Sequence, residues 1–367
     1  RAVFEKYLSE QMKIALLTIW HVGNYGAELQ AYATVKVLTQ LGHDVTIIDI
    51  RENEHAHASL KSRVASAVSG CTLASWRFRK FWRKYFPKKT RHYRSAEELM
   101  QNPPEADVYL VGSDQVWNTE ITAEKKLLYF LNFGREGVRR MSYESSFGRD
   151  SWSESEAVTK TVGDLLSRFS HLGVREQSGV GLLKSVFGRD GARVVDPTLL
   201  LEDYSELTGK TEQRRTLVYY PLTNYPQLDD FCVKLAAEMG LKPVNANKSN
   251  MLTRSIAWSR SSVEQWVKDI AEASFVVTPS FHGLAFSLIY GKQFIIINKG
   301  GAGSRKARLT DLLSELGLSD RFYESFDEAW ADRPWERKID FNIVIEKLAK
   351  MRKESREYLM KALESVE

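Results

Sequence analysis

The sequence predicts a two-domain α/β protein, each domain a parallel sheet covered by helices. Three observations predict it. The chain has 367 residues, more than one compact core usually takes. Short apolar runs of strand length alternate with stretches of helical period, the pattern of βαβ units. That alternation starts twice, once at Lys13 and again at Thr216, with Pro197 and the polar stretch to Gln213 reading as a linker. Two Rossmann-like domains are therefore expected over residues 12–208 and 209–340, facing each other across a cleft. Ligands of such sheets collect outside the carboxyl ends of the strands. Residues 341–367 carry the period of a long amphipathic C-terminal helix that packs back on the chain. Residues 1–11 precede Met12-Lys13-Ile14, which reads as a natural start, and are set aside.

Composition narrows the function classes. A formal net charge of +5 is mild for this length and does not by itself imply nucleic acid. Cys71 and Cys232 are far apart, with no CxxC pair, so structural zinc and a redox dithiol are disfavoured. Two thiols without a disulfide framework fit the reducing cytoplasm. No apolar run has bilayer-spanning length, and no secretory signal stands out.

The elements follow in order. Lys13 to Ile19 is a strand, Trp20 to Gly26 a Gly/Asn turn, Ala27 to Leu41 a helix closed by Gly42, and Asp44 to Ile50 a second strand. The Gly23/Gly26 turn lacks the three-glycine dinucleotide spacing. It is read either as a tight turn needing glycine dihedrals or as a loop whose Asn24, Tyr25 and Gly26 line a substrate. From Trp76 to Phe86 an aromatic face (Phe78, Phe81, Trp82) opposes a basic one (Arg79, Lys80, Arg83, Lys84) with no acid between. That pattern fits contact with an anionic membrane, and equally an aromatic face packed on the core.

Val108 to Val111 is a strand ending in the polar loop of Ser113 and Asp114. Asp114 is read as a base or hydroxyl-binding group, or as the cap of the next helix. Arg140 to Tyr143 is a strand that leads to Glu144. Ser153 to Phe169 is a helix, and Ser170 to Val174 a strand ending at Arg175. The fork of an arginine there suits a carboxylate or phosphate, the alternative being an ion pair with Glu176.

In the second half, Thr216 to Tyr220, Leu241 to Asn245, Phe275 to Val277 and Gln293 to Asn298 are strands. Leu228 to Gly240 and Ser262 to Ala273 are helices. Strand 275–277 breaks at Thr278-Pro279-Ser280 and runs into a helix from Phe281 to Tyr290 with His282 at its start. Helix-start N–H groups attract anions, and a histidine there can carry a proton near neutral pH. Ser280, Phe281 and Gly283 complete this turn. Lys299 to Arg305 is a glycine loop with a base at each end, read as an anion cradle or a surface loop. Arg308 to Gly317 is a short helix. No metal-ligand cluster, Walker loop or GxSxG elbow occurs. A metal-free transfer from an anionic donor fits these residues best.

Several motifs in fixed order carry a resemblance. They are Gly23 to Ala27 with Leu29 to Tyr32, Asp107 to Asn118, Ser145 to Gly148, Val174 to Ser178, Asp196 to Thr198, and Ser280 to Gly283 with Phe286-Ser287. In that order and spacing the sequence resembles the polysaccharide pyruvyl transferase family from Met12 onward. The resemblance implies a GT-B-like fold, with the acceptor on the first domain and the donor on the second. It implies transfer of a pyruvyl group from phosphoenolpyruvate onto two hydroxyls of a sugar in a bacterial surface polysaccharide precursor, such as a capsule or exopolysaccharide. The product is a cyclic ketal, and phosphate is released without a cofactor or metal. The family's arginine maps on Arg175 and its cleft histidine on His282. Pro279 stands where many members have an acid, which removes any role for one there. Asp114 or Glu144 is expected to accept a hydroxyl proton, and Lys299 and Arg305 to help hold the donor. An acceptor linked to undecaprenyl diphosphate is implied too, and with it a peripheral position at the anionic inner face of the cytoplasmic membrane, without nucleic acid. The alternatives are a nucleotide-sugar glycosyltransferase of the same fold and an inactive scaffold for glycan assembly.

Overall fold

The structure is a computed structural model, and it describes residues 10–20, 22–50, 73–222, 226–247, 261–298 and 304–364. The first domain begins with β1 (Lys13–Leu17), α1 (Tyr25–Gln40) and β2 (Asp44–Ile50). It continues through α2 (Leu73–Tyr85), β3 (Lys89–Tyr93), α3 (Ala96–Gln101), β4 (Val108–Val111), α4 (Thr119–Thr122) and a 3₁₀ segment (Ala123–Phe130). After these come β5 (Arg139–Ser145), α5 (Glu156–Leu166), β6 (Phe169–Val174), α6 (Gln177–Phe187) and β7 (Ala192–Arg193). Its seven strands run in the order β3-β2-β1-β4-β5-β6-β7, each pair parallel. The helices start where short polar side chains accept from their first free N–H groups: Asn24 for α1, Ser95 for α3, Asn118 for α4 and Ser155 for α5.

The expected linker is not a loose one. It holds α7 (Pro197–Leu200) and α8 (Ser205–Thr208), with Asp196 capping α7 and Pro197 at its first turn. Leu199, Leu200, Leu201 and Tyr204 are buried there, and the Tyr204 ring lies 4.8 Å from Phe286 of the second domain. A polar composition concealed this because the four apolar residues all turn inward.

The second domain comprises β8 (Thr216–Tyr219), α9 (Pro226–Glu238), β9 (Lys242–Asn245), α10 (Val263–Glu272), β10 (Phe275–Thr278), α11 (Phe281–Ile289) and β11 (Gln293–Ile297). Next are α12 (Ser304–Leu316), β12 (Phe322–Tyr323) and α13 (Phe326–Asp332). Its five strands run β12-β11-β10-β8-β9, again parallel. Strands buried on both faces explain the unbroken apolar runs Phe275–Val277 and Phe294–Ile297, all 2% exposed or less.

The last helix, α14 (Phe341–Leu363), returns to the first domain. Ser355 Oγ accepts from the Val195 N–H (3.0 Å), Arg352 Nε donates to the Leu199 carbonyl (2.6 Å), and Tyr358 donates to the Ser142 carbonyl (2.9 Å). One apolar cluster runs from Ile14 and Leu29 through Tyr204 to Trp266, Phe286 and Leu348, so the two sheets share a continuous core. Among the described residues, no helix is long and apolar enough to cross a membrane.

Helix α2 packs its aromatic face on the core. Phe78 and Phe81 are at most 2% exposed, against Tyr25 (5.4 Å) and Tyr32 (6.0 Å), and Trp82 donates to Glu28 Oε2 (2.6 Å). The expectation that Phe78, Phe81 and Trp82 contact a membrane is corrected: α1 covers that face. Arg79, Lys80, Arg83 and Lys84 face outward, beside the exposed ring of Trp76.

Candidate active site

In each sheet the strand order reverses once, between β1 and β4 in the first and between β8 and β10 in the second. Such switch points open a crevice because the flanking crossovers leave on opposite faces. Several of the residues singled out from sequence stand at the strand ends around these two crevices. After β1 stands Asn24, exposed, its Oδ1 accepting from the N–H groups of Gly26 (2.8 Å) and Ala27 (3.4 Å). After β4 stand Ser113 and Asp114, at the end of β5 Glu144, and after β6 Arg175. After β10, Ser280 caps α11 and His282 lies in its first turn.

The crevices meet at one close contact. A Cβ on Gly26 would lie 2.1 Å from His282 Nδ1 and 2.5 Å from Cε1. Only a residue without a side chain lets the imidazole rest on the start of α1. Gly23 has the positive φ (65°) expected of the turn, but Gly26 does not, so its requirement comes from the ring and not from backbone dihedrals. Tyr25 beside it is 1% exposed, stacked on Trp266 at 5.3 Å, with its hydroxyl donating to the Ser261 carbonyl (2.9 Å). It fastens the domains together. Gly283 is tight for another reason: a Cβ there would meet Thr278 side-chain atoms at 2.6 Å.

Between the crevices lies a buried charge cluster. Arg175 Nε donates to Glu144 Oε1 (3.0 Å), and its Nη2 lies 3.5 Å from Asp114 Oδ1. The expected pair with Glu176 is replaced by these two, and Glu176 instead accepts from Ser146 Oγ (2.8 Å). Ser113 Oγ donates to the other Glu144 oxygen. Asp114 does not cap the next helix, since Asn118 does. Asp114 and Glu144 both have positive φ (84° and 56°). Such conformations cost non-glycine residues about 1–3 kcal/mol and cluster at functional sites. The loops are locked by backbone bonds, Ser146 N–H to Asp114 C=O (3.0 Å) and Trp117 N–H to Ser146 C=O (3.1 Å).

Two members of this cluster escaped the sequence reading. Asp196 is 2% exposed. Its Oδ1 accepts from the Thr198 N–H (2.8 Å) and hydroxyl (2.6 Å), and its Oδ2 lies 3.5 Å from His282 Nε2. Arg308, on α12, donates from Nη2 to the same Oδ2, lies 3.4 Å from Glu144 Oε1, and stacks 3.5 Å over the Phe281 ring. The motif Asp196-Pro-Thr198 was the one signal for Asp196, and nothing local marks Arg308. Both His282 Nε2 and Arg308 Nε are buried without a hydrogen-bond partner. The helix carrying Arg308 starts at Ser304, earlier than expected, which puts Arg305 in its first turn instead of a glycine loop. Lys299, the other expected anion holder, lies outside the described residues. A pocket of about 450 Å³ reaches the cluster past Phe281, Leu312 and Met351.

The cluster's electrostatics divide its carboxyls. Burial pushes Glu144 up to about 7, against the opposing pull of Arg175 and Arg308. Burial also raises Asp196, but His282, Arg308 and Arg175 outweigh it and hold this carboxyl well below the usual range. Burial raises Glu176 as well. Arg175 is held further into its charged form: burial opposes this, and Glu144 and Asp114 overcome it. Two neighbouring carboxyls driven apart in this way suit one to take a proton near neutral pH and the other to stay anionic. Among the described residues no group of three or more His, Cys, Asp and Glu side chains is arranged to hold a metal ion.

Two Rossmann-like domains, switch point to switch point over a buried histidine and two arginines, with a final helix returning to the first domain, make a GT-B-like fold. The comparisons with known proteins make the class specific. The family model of polysaccharide pyruvyl transferase matches residues 24–299, and the chain belongs to that family of enzymes, whose acceptor is a polysaccharide. Among solved structures it is similar to S. aureus MnaA with UDP (12% identity, TM-score 0.54, covering 94% of this chain and 91% of that one). It is also similar to a UDP-N-acetylglucosamine 2-epimerase from Rickettsia bellii (8% identity, TM-score 0.53, 96% and 97%). A further match is an alpha-glucosyltransferase in complex with UDP (10% identity, TM-score 0.48, 97% of each chain). At these identities the likeness is one of fold. No curated protein matches the sequence.

Proposed function

We propose that the protein transfers the pyruvyl group of phosphoenolpyruvate to two hydroxyls of one sugar, forming a cyclic ketal and releasing phosphate. The observation that carries this reading is the position of His282. It belongs to the second-domain switch point, packs on Gly26 of the first, and keeps Nε2 free of hydrogen bonds beside the charge cluster. In the reaction His282 gives a proton to the methylene carbon of phosphoenolpyruvate, which becomes the methyl group. The first sugar hydroxyl adds to C2 and loses its proton to a carboxylate. Phosphate leaves with the electrons of the C2–O bond, and the second hydroxyl closes the ketal as its proton departs. Glu144, near 7, and Asp114, at 3.5 Å from Arg175, are the carboxylates placed to take these protons. Arg175 holds the donor carboxylate by trading its longer contact to Asp114. Proton donation of this kind contributes about 10²–10⁴-fold in rate.

The acceptor in this reading is a lipid-linked precursor of a bacterial surface polysaccharide. Trp76 and the outward Arg79, Lys80, Arg83 and Lys84 of α2 then lie against an anionic membrane face, held by charge and not by insertion of the buried Phe78 and Phe81. The test is phosphate release from phosphoenolpyruvate with candidate glycans, run with wild type and His282→Ala. Glycan-dependent release that the variant loses supports the reading. Full turnover by His282→Ala removes the histidine from it, and glycosyl transfer from a UDP- or GDP-sugar with no use of phosphoenolpyruvate replaces it.

A further inference from the structure

Asp196 Oδ2 has two suitors. Arg308 Nη2 is bonded to it, and His282 Nε2 waits at 3.5 Å, beyond a good hydrogen bond and with no other partner. The other Asp196 oxygen is fixed by Thr198 through N–H and hydroxyl, so the carboxylate cannot turn to serve both. Arg308 is itself under-used: its Nε is buried without a partner, and its plane rests on Phe281, a surface along which a guanidinium can slide. Two buried, unpartnered polar atoms on the two residues that flank one carboxylate oxygen, one cationic and one able to become so, call for an anion.

We propose that Asp196 is the positioning residue for His282, and that Arg308 releases it when an anionic donor draws the guanidinium away. This rests on the phosphoenolpyruvate reading for the identity of the donor, but not for the hand-over itself. A phosphate or carboxylate arriving at Arg308 replaces Asp196 as its partner. Asp196 Oδ2 is then free for a full hydrogen bond from the Nε2–H of His282, which fixes the ring and strengthens, once the donor is bound, the support that the nearby carboxylate gives its protonated form. Such coupling ties the final positioning of the acid to the arrival of the donor. Among the described residues, these groups surround the histidine. Asp196 precedes α7 and Arg308 stands on α12. Gly26 of α1 presents only backbone, and Phe281 its ring. Around Asp196 stand Glu144 and Arg175 at the ends of β5 and β6, together with Tyr143 and Tyr204, whose phenols burial keeps protonated.

The test uses the full chain with histidines labelled with nitrogen-15. Inorganic phosphate added to wild type is expected to move the His282 Nε2 resonance toward that of a hydrogen-bonded, protonated imidazole. Asp196→Asn keeps an oxygen for the Thr198 cap and is expected to abolish that response. It should also lower kcat about 10- to 100-fold with little change in KM for phosphoenolpyruvate, and move the alkaline limb of the kcat profile to lower pH by about one unit. Arg308→Gln should instead raise KM for phosphoenolpyruvate about tenfold or more, and show the His282 signal of the bound state without phosphate. Thr198→Val, which loosens the tether without touching charge, should lower kcat less than Asp196→Asn does. An Asp196→Asn enzyme with unchanged pH profile, or a wild-type His282 signal indifferent to phosphate, overturns the proposal. Absence of any phosphoenolpyruvate turnover in wild type would instead overturn the donor assignment and leave the phosphate titration as the test of the hand-over.

Discussion

Replacing Gly26 by alanine adds one methyl group at the point where the two domains touch through His282. The new Cβ would stand 2.1 Å from Nδ1, 2.5 Å from Cε1 and 2.9 Å from Cγ of the imidazole. Ordinary contact needs about 3.5–4.0 Å, so the ring must retreat by about 1.5 Å. A misplacement of about 1 Å at a reacting group costs on the order of 10²-fold. The stability cost is smaller, because two terms oppose. Overpacking costs about 1–3 kcal/mol, while alanine in place of glycine near the start of α1 returns up to about 1 kcal/mol. Phosphate release from phosphoenolpyruvate, read beside thermal unfolding, separates the two. The expectation is a loss of about 100-fold in kcat with a melting temperature within a few degrees of wild type. A Gly26→Ala enzyme within twofold of wild type would refute the idea that the imidazole acts from its place on α1.

Other perturbations have equally definite outcomes. Glu144 titrates near 7 in the fold against 4.5 without it, so the folded state holds a proton that the unfolded chain releases across that window. Stability therefore falls as pH rises from about 4.5 to 7, by about 3 kcal/mol at about 1.4 kcal/mol per unit. Urea unfolding at pH 5 and 7.5 should show this slope shrink in Glu144→Gln. Asp196 has the opposite sign, and its loss of stability falls at more acidic pH, outside that window. Arg175→Ala should chiefly raise KM for phosphoenolpyruvate, and its removal from beside Glu144 should also destabilise the fold by up to about 3–5 kcal/mol, since the buried carboxylate is left to the longer contact with Arg308. Phe81→Ala should cost about 3–5 kcal/mol in unfolding free energy as a core cavity. Neutralising Arg79, Lys80, Arg83 and Lys84 should leave unfolding nearly unchanged but abolish salt-sensitive flotation with anionic liposomes.

The parts of this account that were legible in sequence are those written in local patterning. Strand ends announced themselves by a break from apolar to glycine, serine or asparagine, as at Asn24, Ser113 and Ser280, and the ends of parallel strands are where such a fold keeps its chemistry. Hydrophobic period placed the helices, including the long one from Phe341. The pattern could not say what covers an apolar face. Phe78 and Phe81 read alike whether they met lipid or α1, and only the approach of Tyr25 and Tyr32 decided it. Nor could it rank charges. Arg308 reaches Asp196 and Glu144 across the domain boundary, a contact that no local pattern announces. Gly26 was legible as a glycine and misread as to its reason, because the imidazole that forbids a side chain there lies over 250 residues away in the chain.

The measurement that bears most directly on the central claim is the reaction of purified protein with phosphoenolpyruvate and a bacterial glycan acceptor, followed by phosphate release and by mass spectrometry of the glycan. One phosphate is expected for each pyruvyl ketal gained, with both lost in His282→Ala. A glycan that gains a sugar from a nucleotide-sugar donor, with phosphoenolpyruvate left intact, would contradict it.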